Sequence, residues 1–244
     1  MNILIEGWRG INHSFSLVNQ WQILELLKLS NLSFKDVPFS SEKWNISDNE
    51  SGLEKDKTTI INNIPSQNNQ ESPDITYRIS YPFNFDSDFN SKILFVFGNC
   101  EFKVLNKKKY KNNLPERLAY NENFFIHTPS NWSKEGFLNA GFQNEQIIVI
   151  PHGIDKNIFN TNLKVDKLNL KRKFNFNDSD FVLSNIGAMT QNKGIELLIA
   201  AYGILKKKFK NLKLILKDQS NLYNLRPNEI IDKVAESEIN NKYK

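Results

Sequence analysis

The stretch Gly187-Ala-Met-Thr-Gln-Asn-Lys-Gly194 has residue types and spacing suited to anion chemistry. Two glycines bound it and a lysine stands near its end. Directly after it comes an apolar pattern of helical period: Ile195, Leu198, Ile199, Tyr202 and Leu205. Ahead of it lies Phe181-Val-Leu-Ser-Asn-Ile186, a short apolar run of strand type. The order is strand, glycine-bounded loop, helix. Such a loop brings backbone N–H groups up to an anion, and the first helical turn adds unpaired N–H groups and the positive end of the dipole. Lys193 adds a mobile full charge. A phosphate-bearing ligand is the natural guest of Gly187, Lys193 and Gly194. The plain alternative is an ordinary strand-to-helix turn with a solvated lysine.

The rest of the chain must position this loop. Its 244 residues suffice for one large or two small domains. With 39% hydrophobic residues, it can bury a core. No apolar run approaches the ~20 residues that span a bilayer. The N-terminus, Met-Asn-Ile-Leu-Ile-Glu, lacks a basic region and a cleavage site, which predicts no signal peptide. The single cysteine, Cys100, excludes an internal disulfide and fits a reducing cytoplasm. A formal charge of +5 and a pI near 9.1 permit anionic partners without choosing among them. The basic runs Lys107–Lys109 and Lys206–Lys208 read as solvated surface.

Strands and helices alternate. Residues 2–6 read as a buried strand broken at Gly7-Trp-Arg-Gly10, with a helix from about Ser14 to Leu29. Further strands are predicted at 32–37, 74–81 (as an alternating one), 92–98, 123–128 and 145–150. Helices are predicted around 53–64 and at 132–140, the latter with Ser130 as N-cap. Residues 103–121 read as basic and irregular. A helical pattern begins at Pro227, and the chain frays from about residue 240. No hairpin signal occurs, so the fold class is α/β with a parallel sheet. The expected division is a Rossmann-like domain over 1–155, a connector over 156–180 and the first part of a second such domain over 181–244.

Four segments resemble a known family. Ile147-Ile-Val-Ile-Pro-His-Gly-Ile-Asp155, followed by Phe159, is similar to the "V-I-P-N-G-V-D-x-x-x-F" segment of retaining GT-B glycosyltransferases of family 4. Pro129 to Gly141 resembles their "S-x-x-x-x-x-x-L-x-x-x-G" helix. Gly187 to Ala200 resembles "G-R-L-x-x-x-K-G-x-x-x-L-I-x-A". Glu6 to Asn19 resembles the glycine loop and first helix of the acceptor side. The resemblance implies two Rossmann-like domains, the first for a hydroxyl acceptor (glycan, lipid or small molecule) and the second for a nucleotide-diphospho-sugar. It implies sugar transfer with retention, with Gly187, Lys193 and Gly194 on the donor phosphates. No metal or other cofactor is expected. The implied location is cytoplasmic, with peripheral contact at the inner face of a membrane. No nucleic-acid recognition motif appears.

The departures are specific. Ala188 stands where the family has an arginine, and His152 replaces the asparagine of the connector. The family histidine that ends an N-domain strand falls at Gly98, which leaves Glu101 as the nearest ionisable substitute. No Glu-x7-Glu pair follows Lys193, so the chain reads as a C-terminally truncated member. Glu101 and His13 are the catalytic candidates. Gly7, Trp8, Arg9 and Gly10 are the acceptor-side loop, with Trp8 the indole placed to stack on a sugar. Arg9 reads equally as an anion contact or a solvent-facing arginine. His127, inside a strand, reads as a satisfied core histidine. Trp44 is a packing candidate. The competing function is a non-catalytic ligand- or partner-binding α/β protein.

Overall fold

A computed structural model of the chain describes residues 1–39, 51–68, 72–86, 89–105, 110–111, 118–161, 166–218 and 228–234. Trp44, Lys107–Lys109, Pro227 and the expected frayed tail lie outside the described residues. The chain divides into two units, one of residues before 155 and one dominated by the residues after it.

The first unit runs β1 (Asn2–Gly7), α1 (Ser14–Leu26), β2 (Asn31–Asp36), α2 (Lys55–Asn62), β3 (Ile75–Ile79), β4 (Phe83–Asn84), β5 (Ile93–Phe97), β6 (Tyr110–Lys111), β7 (Phe124–Thr128), α3 (Asn131–Asn139) and β8 (Ile147–Val149). Six strands form one sheet in the order β2-β1-β3-β5-β7-β8, and every pairing in it is parallel. Apolar side chains leave both faces. Leu94 and Val96 enter a cluster with Phe83, Phe85, Phe124 and Phe137, while Phe97 joins Ile3, Ile5, Ile23 and Phe34 in another. A parallel sheet covered on both faces requires this kind of strand. It also explains a departure from the sequence reading. β3 was expected to alternate, but four of its five residues are buried, because it lies in the middle of the sheet.

The first cluster is aromatic. Phe85, Phe124, Phe137 and Phe142 form successive ring pairs with centroids 5.7–6.2 Å apart. Full burial of one such ring contributes roughly 1.5–3 kcal/mol. β4 and β6 pair with each other in parallel, two residues long, in stretches without a periodic apolar pattern.

The second unit contains α4 (Lys167–Lys173), β9 (Phe181–Ile186), α5 (Ile195–Lys208), β10 (Leu212–Lys217) and helical backbone over residues 228–234. β9 and β10 pair in parallel across α5. Its buried core among the described residues is Met189, Ile195 and Ile230, flanked by Ile199, Leu216 and Val234.

Candidate functional site

In the first unit all strand carboxyl ends share one edge. The chain winds from β1 outward to β2, then returns on the other side of β1 to form β3. Winding therefore reverses between β1 and β3, the position where open parallel sheets admit ligands. The Gly7–Gly10 loop leaves β1 at that point, and Ser80 and Tyr81 follow β3. A cavity of about 390 Å³ opens at the opposite edge, lined by Asn2, Asn31, Ser33 and Gln67, so it is separate from this position.

The loop is fixed from below by α1. A Cβ on Gly7 would sit 2.6 Å from the Ile79 carbonyl oxygen, so no side chain fits. Gly10 has φ +71°, a left-handed conformation that favours glycine. Asn19 Nδ2 donates to the Trp8 carbonyl at 2.9 Å, and Gln20 Oε1 accepts from the Gly10 N–H at 3.0 Å. Ser16, Asn19, Gln20 and Ile23 are the buried residues of α1, spaced as one helical face. Three of these four buried residues are polar, so apolar periodicity alone passes over them. Their i, i+3, i+4 spacing was the available signal.

Trp8 is 2% exposed, so its ring is packed rather than open to a sugar. His13 and Phe39 meet it edge-on, with centroids 5.1 and 4.6 Å away. Arg9 is not solvent-facing. Its Nε and Nη2 grip both carboxylate oxygens of Asp36 at 3.2 and 3.1 Å, and Nη1 donates to the Ile61 carbonyl at 3.0 Å. The guanidinium also lies 4.3 Å over the Phe34 ring. This engagement ties the loop to β2 and α2.

His13 caps α1. Its Nδ1 accepts from the Phe15 N–H at 3.2 Å, which puts the ring proton on Nε2. Burial lowers its pKa from 6.5 to about 4. The imidazole is therefore neutral at pH 7, and a proton on Nδ1 would break the cap beside a positive helix end.

After β5 the chain turns through Gly98, Asn99, Cys100 and Glu101. A Cβ on Gly98 would stand 2.7 Å from Phe137 Cζ, so the position of the expected family histidine has no room for a side chain. Cys100 is buried, and its N–H donates to Ser133 Oγ at 2.7 Å. Glu101 is exposed, with its carbonyl accepting from Trp132 Nε1 at 2.9 Å. Burial, and then the nearby Glu101 charge, raise the Tyr81 phenol above its ordinary pKa. The edge thus brings Tyr81 to Glu101, and Tyr81 stacks on Phe15 with centroids 6.3 Å apart. Tyr81 drew no attention in the sequence because nothing local marks its partner.

His127 is a satisfied core histidine. Tyr77 Oη lies 2.8 Å from His127 Nδ1 and 2.8 Å from Gln22 Oε1, and His127 Nε2 lies 3.2 Å from the Ile150 carbonyl oxygen. Burial pushes the His127 pKa down, so the ring is neutral. Its one proton belongs on Nε2, facing the carbonyl. Nδ1 and Gln22 Oε1 then share the Tyr77 proton. His152, after β8, is exposed, with its ring 5.8 Å from that of Phe97.

In the second unit Gly187 continues the β9 ladder, its N–H donating to the Lys217 carbonyl at 2.9 Å. Met189 is 3% exposed and anchors the loop in the core. A 3-10 turn over Gln191–Lys193 leads to Gly194, which caps α5 at φ +66°. Lys193 is exposed at the start of α5, and Glu196 lies in the first turn. The loop has the strand–turn–helix form expected for it. Among the described residues no group of three His, Cys, Asp or Glu side chains converges on a metal-sized position.

No protein-family model matches the sequence, and no curated protein matches it. Solved structures do match the fold. A glycosyltransferase from Rickettsia africae ESF-5 superposes with a TM-score of 0.58 at 14% identity, over 96% of this chain and 65% of that one. The fold is a glycosyltransferase fold. HepE from Anabaena in complex with UDP and glucose gives a TM-score of 0.57 at 15% identity, over 97% of this chain and 65% of that one. The same protein in complex with UDP-glucose gives 0.57 at 15%, over 96% and 66%. This chain therefore spans about 65% of the length of these structures.

Proposed function

We propose that the protein takes part in transfer of a sugar from a nucleotide-diphospho-sugar to a hydroxyl acceptor, with retention at the sugar. The observation that carries the reading is Lys193 at the junction of a glycine-bounded loop and α5, in a fold shared with a protein solved with UDP-glucose. Breaking a sugar–phosphate bond loads negative charge on the departing diphosphate. An exposed lysine and a helix N-terminus stabilise that charge as it develops, and no metal is needed for this. Gly187 keeps the backbone bare where phosphate oxygens approach, and nothing lies within 4 Å of the position a Cβ would take. The acceptor belongs to the Gly7–Gly10 edge, with Glu101 beside Tyr81 as the group that takes up the acceptor proton. In this reading residues 181–244 supply part of a donor site, and the location is cytoplasmic with peripheral membrane contact.

Titration of the full chain with UDP-glucose tests it. Binding that weakens about tenfold or more in Lys193→Ala, with an unchanged melting temperature, supports the reading. Absence of binding at millimolar nucleotide sugar removes the donor half.

Two observations favour a second reading, a non-catalytic α/β binding protein. Phe137 fills the space at Gly98 that a catalytic side chain would occupy, and Arg9 is committed to Asp36. Nucleotide-sugar binding without turnover of any hydroxyl acceptor would select this one.

A further inference from the structure

The cavity of about 390 Å³ at the amino ends of the strands has no part in the proposed transfer. It forms where the chain leaving α2 wraps the edge strand β2. The Phe34 N–H donates to the Pro65 carbonyl at 2.9 Å, and the Phe34 carbonyl accepts from the Gln67 N–H at 3.1 Å, so residues 65–67 run parallel to β2. One position earlier in this ladder, the Leu32 carbonyl would need an N–H on residue 65. Proline has none. The ladder stops there, and the cavity opens beside it with Leu32 and Pro65 on its wall.

The wall is neutral and rich in hydrogen-bonding groups, with Asn2, Asn31, Ser33, Ser66, Gln67 and Ser72 on it. Asn31 Nδ2 donates to Asn2 Oδ1 at 3.2 Å, which leaves Asn31 Oδ1 as an acceptor and Asn2 Nδ2 as a donor. Ser72 Oγ is committed to the Asn90 carbonyl. No side-chain hydrogen bond ties Ser33, Ser66 or Gln67 to another described residue. Among the described residues on the wall there is no lysine, arginine, aspartate, glutamate or histidine. The charges next along the chain are already paired, Asp74 with Lys92 and Lys35 with Glu6. An ionic ligand would lose hydration here and meet no counter-charge. No aromatic ring stands on the described wall, so a nucleobase has nothing to stack on. Interleaved amides and hydroxyls match a small neutral molecule whose own hydroxyls both donate and accept. A saccharide ring has that chemistry, and Leu32, Pro65 and Pro73 offer apolar surface to its C–H groups. The volume falls within the roughly 300–1,000 Å³ of small-molecule sites.

We propose that this cavity binds a neutral saccharide unit through Asn2, Asn31, Ser33 and Gln67. The site is independent of sugar transfer at the opposite edge and is tested without nucleotide. The full chain, labelled with nitrogen-15, is titrated with the methyl glycosides of glucose, galactose, mannose and N-acetylglucosamine, and with glucose 6-phosphate. At least one methyl glycoside is expected to shift the side-chain NH2 signals of Asn2, Asn31 and Gln67 in the millimolar range. Glucose 6-phosphate should leave these signals in place, because its charge finds no partner on the wall. The double variant Ser33→Ala with Gln67→Ala should bind the glycoside about tenfold more weakly, since two hydrogen-bonding side chains are lost. Neither side chain bonds to another described residue, so the variant should keep the wild-type circular dichroism and melting temperature. Four outcomes overturn the proposal: no methyl glycoside moves these signals, the shifts fall only at Gly7–Gly10 or Gly187–Gly194, the double variant binds like wild type, or glucose 6-phosphate moves the same signals equally.

Discussion

Arg78 Nε donates to Glu6 Oε2 at 2.7 Å from the neighbouring strand, and the two side chains are 5% and 10% exposed. The other carboxylate oxygen accepts from Lys35 Nζ at 3.0 Å, so one row across β2, β1 and β3 reads Lys35, Glu6, Arg78.

Arg78→Met should destabilise the protein by about 3–5 kcal/mol, because it leaves Glu6 buried with only the half-exposed Lys35. Urea denaturation would show a lower midpoint at unchanged slope. Burial opposes ionisation of Glu6, but Arg78 and Lys35 more than offset it, and the folded pKa lies below the ordinary 4.5. This contribution is therefore full above pH 4.5 and lost as pH falls through the lower folded value. The loss should be absent in Glu6→Gln.

His13 should give a second pH signature. Its folded pKa of about 4 lies below the ordinary 6.5, so the unfolded chain binds the proton more readily. Stability should be constant above pH 6.5, fall as pH drops toward 4, and level off below that. The full drop is on the order of 3 kcal/mol. His13→Asn keeps a capping oxygen and should flatten the profile over this window. An unchanged slope would show that His13 is not the titrating group.

Gly98→Ala should cost about 1–3 kcal/mol, since its Cβ meets the Phe137 ring. Phe137→Leu withdraws the ring atoms that collide. Thermal unfolding of the four proteins in this cycle should show coupling, with the double variant more stable than the sum of the single effects predicts.

Tyr77→Phe removes the proton that satisfies His127 Nδ1. A buried acceptor left unpaired costs about 1–3 kcal/mol. The histidine C–H resonances of His127 should shift, while those of His152 change little.

How far the sequence could be read depended on the range of each interaction. The β1–loop–α1 and β9–loop–α5 units were legible because apolar runs, glycines and helical spacing are local signals. Ser130 as N-cap of α3 was legible for the same reason, and its Oγ accepts from the Ser133 N–H at 3.2 Å. The engagement of Arg9 was hidden because Asp36 lies 27 residues away. The burial of Trp8 depends on His13, Phe15 and Phe39 arriving from two elements. The closed space at Gly98 depends on a ring 39 positions later, brought in by α3. At the candidate site, residue types could be nominated from the sequence, but their partners came from β3 and β5 lying side by side.

The pairing of β9 with β10 has a consequence for local opening. Among the described residues these strands have only each other, so one side of each presents peptide N–H and C=O groups without a neighbouring strand. Among the described residues its buried cluster is Met189, Ile195 and Ile230. Opening it exposes little apolar surface and should require much less free energy than unfolding the six-stranded sheet. Amide protons of Phe181–Ile186 should then exchange with deuterium far sooner than those of Ile93–Phe97. A ligand bound at the Gly187–Gly194 loop would act on the less protected part of the molecule, and the slowing of exchange at β9 would report its arrival.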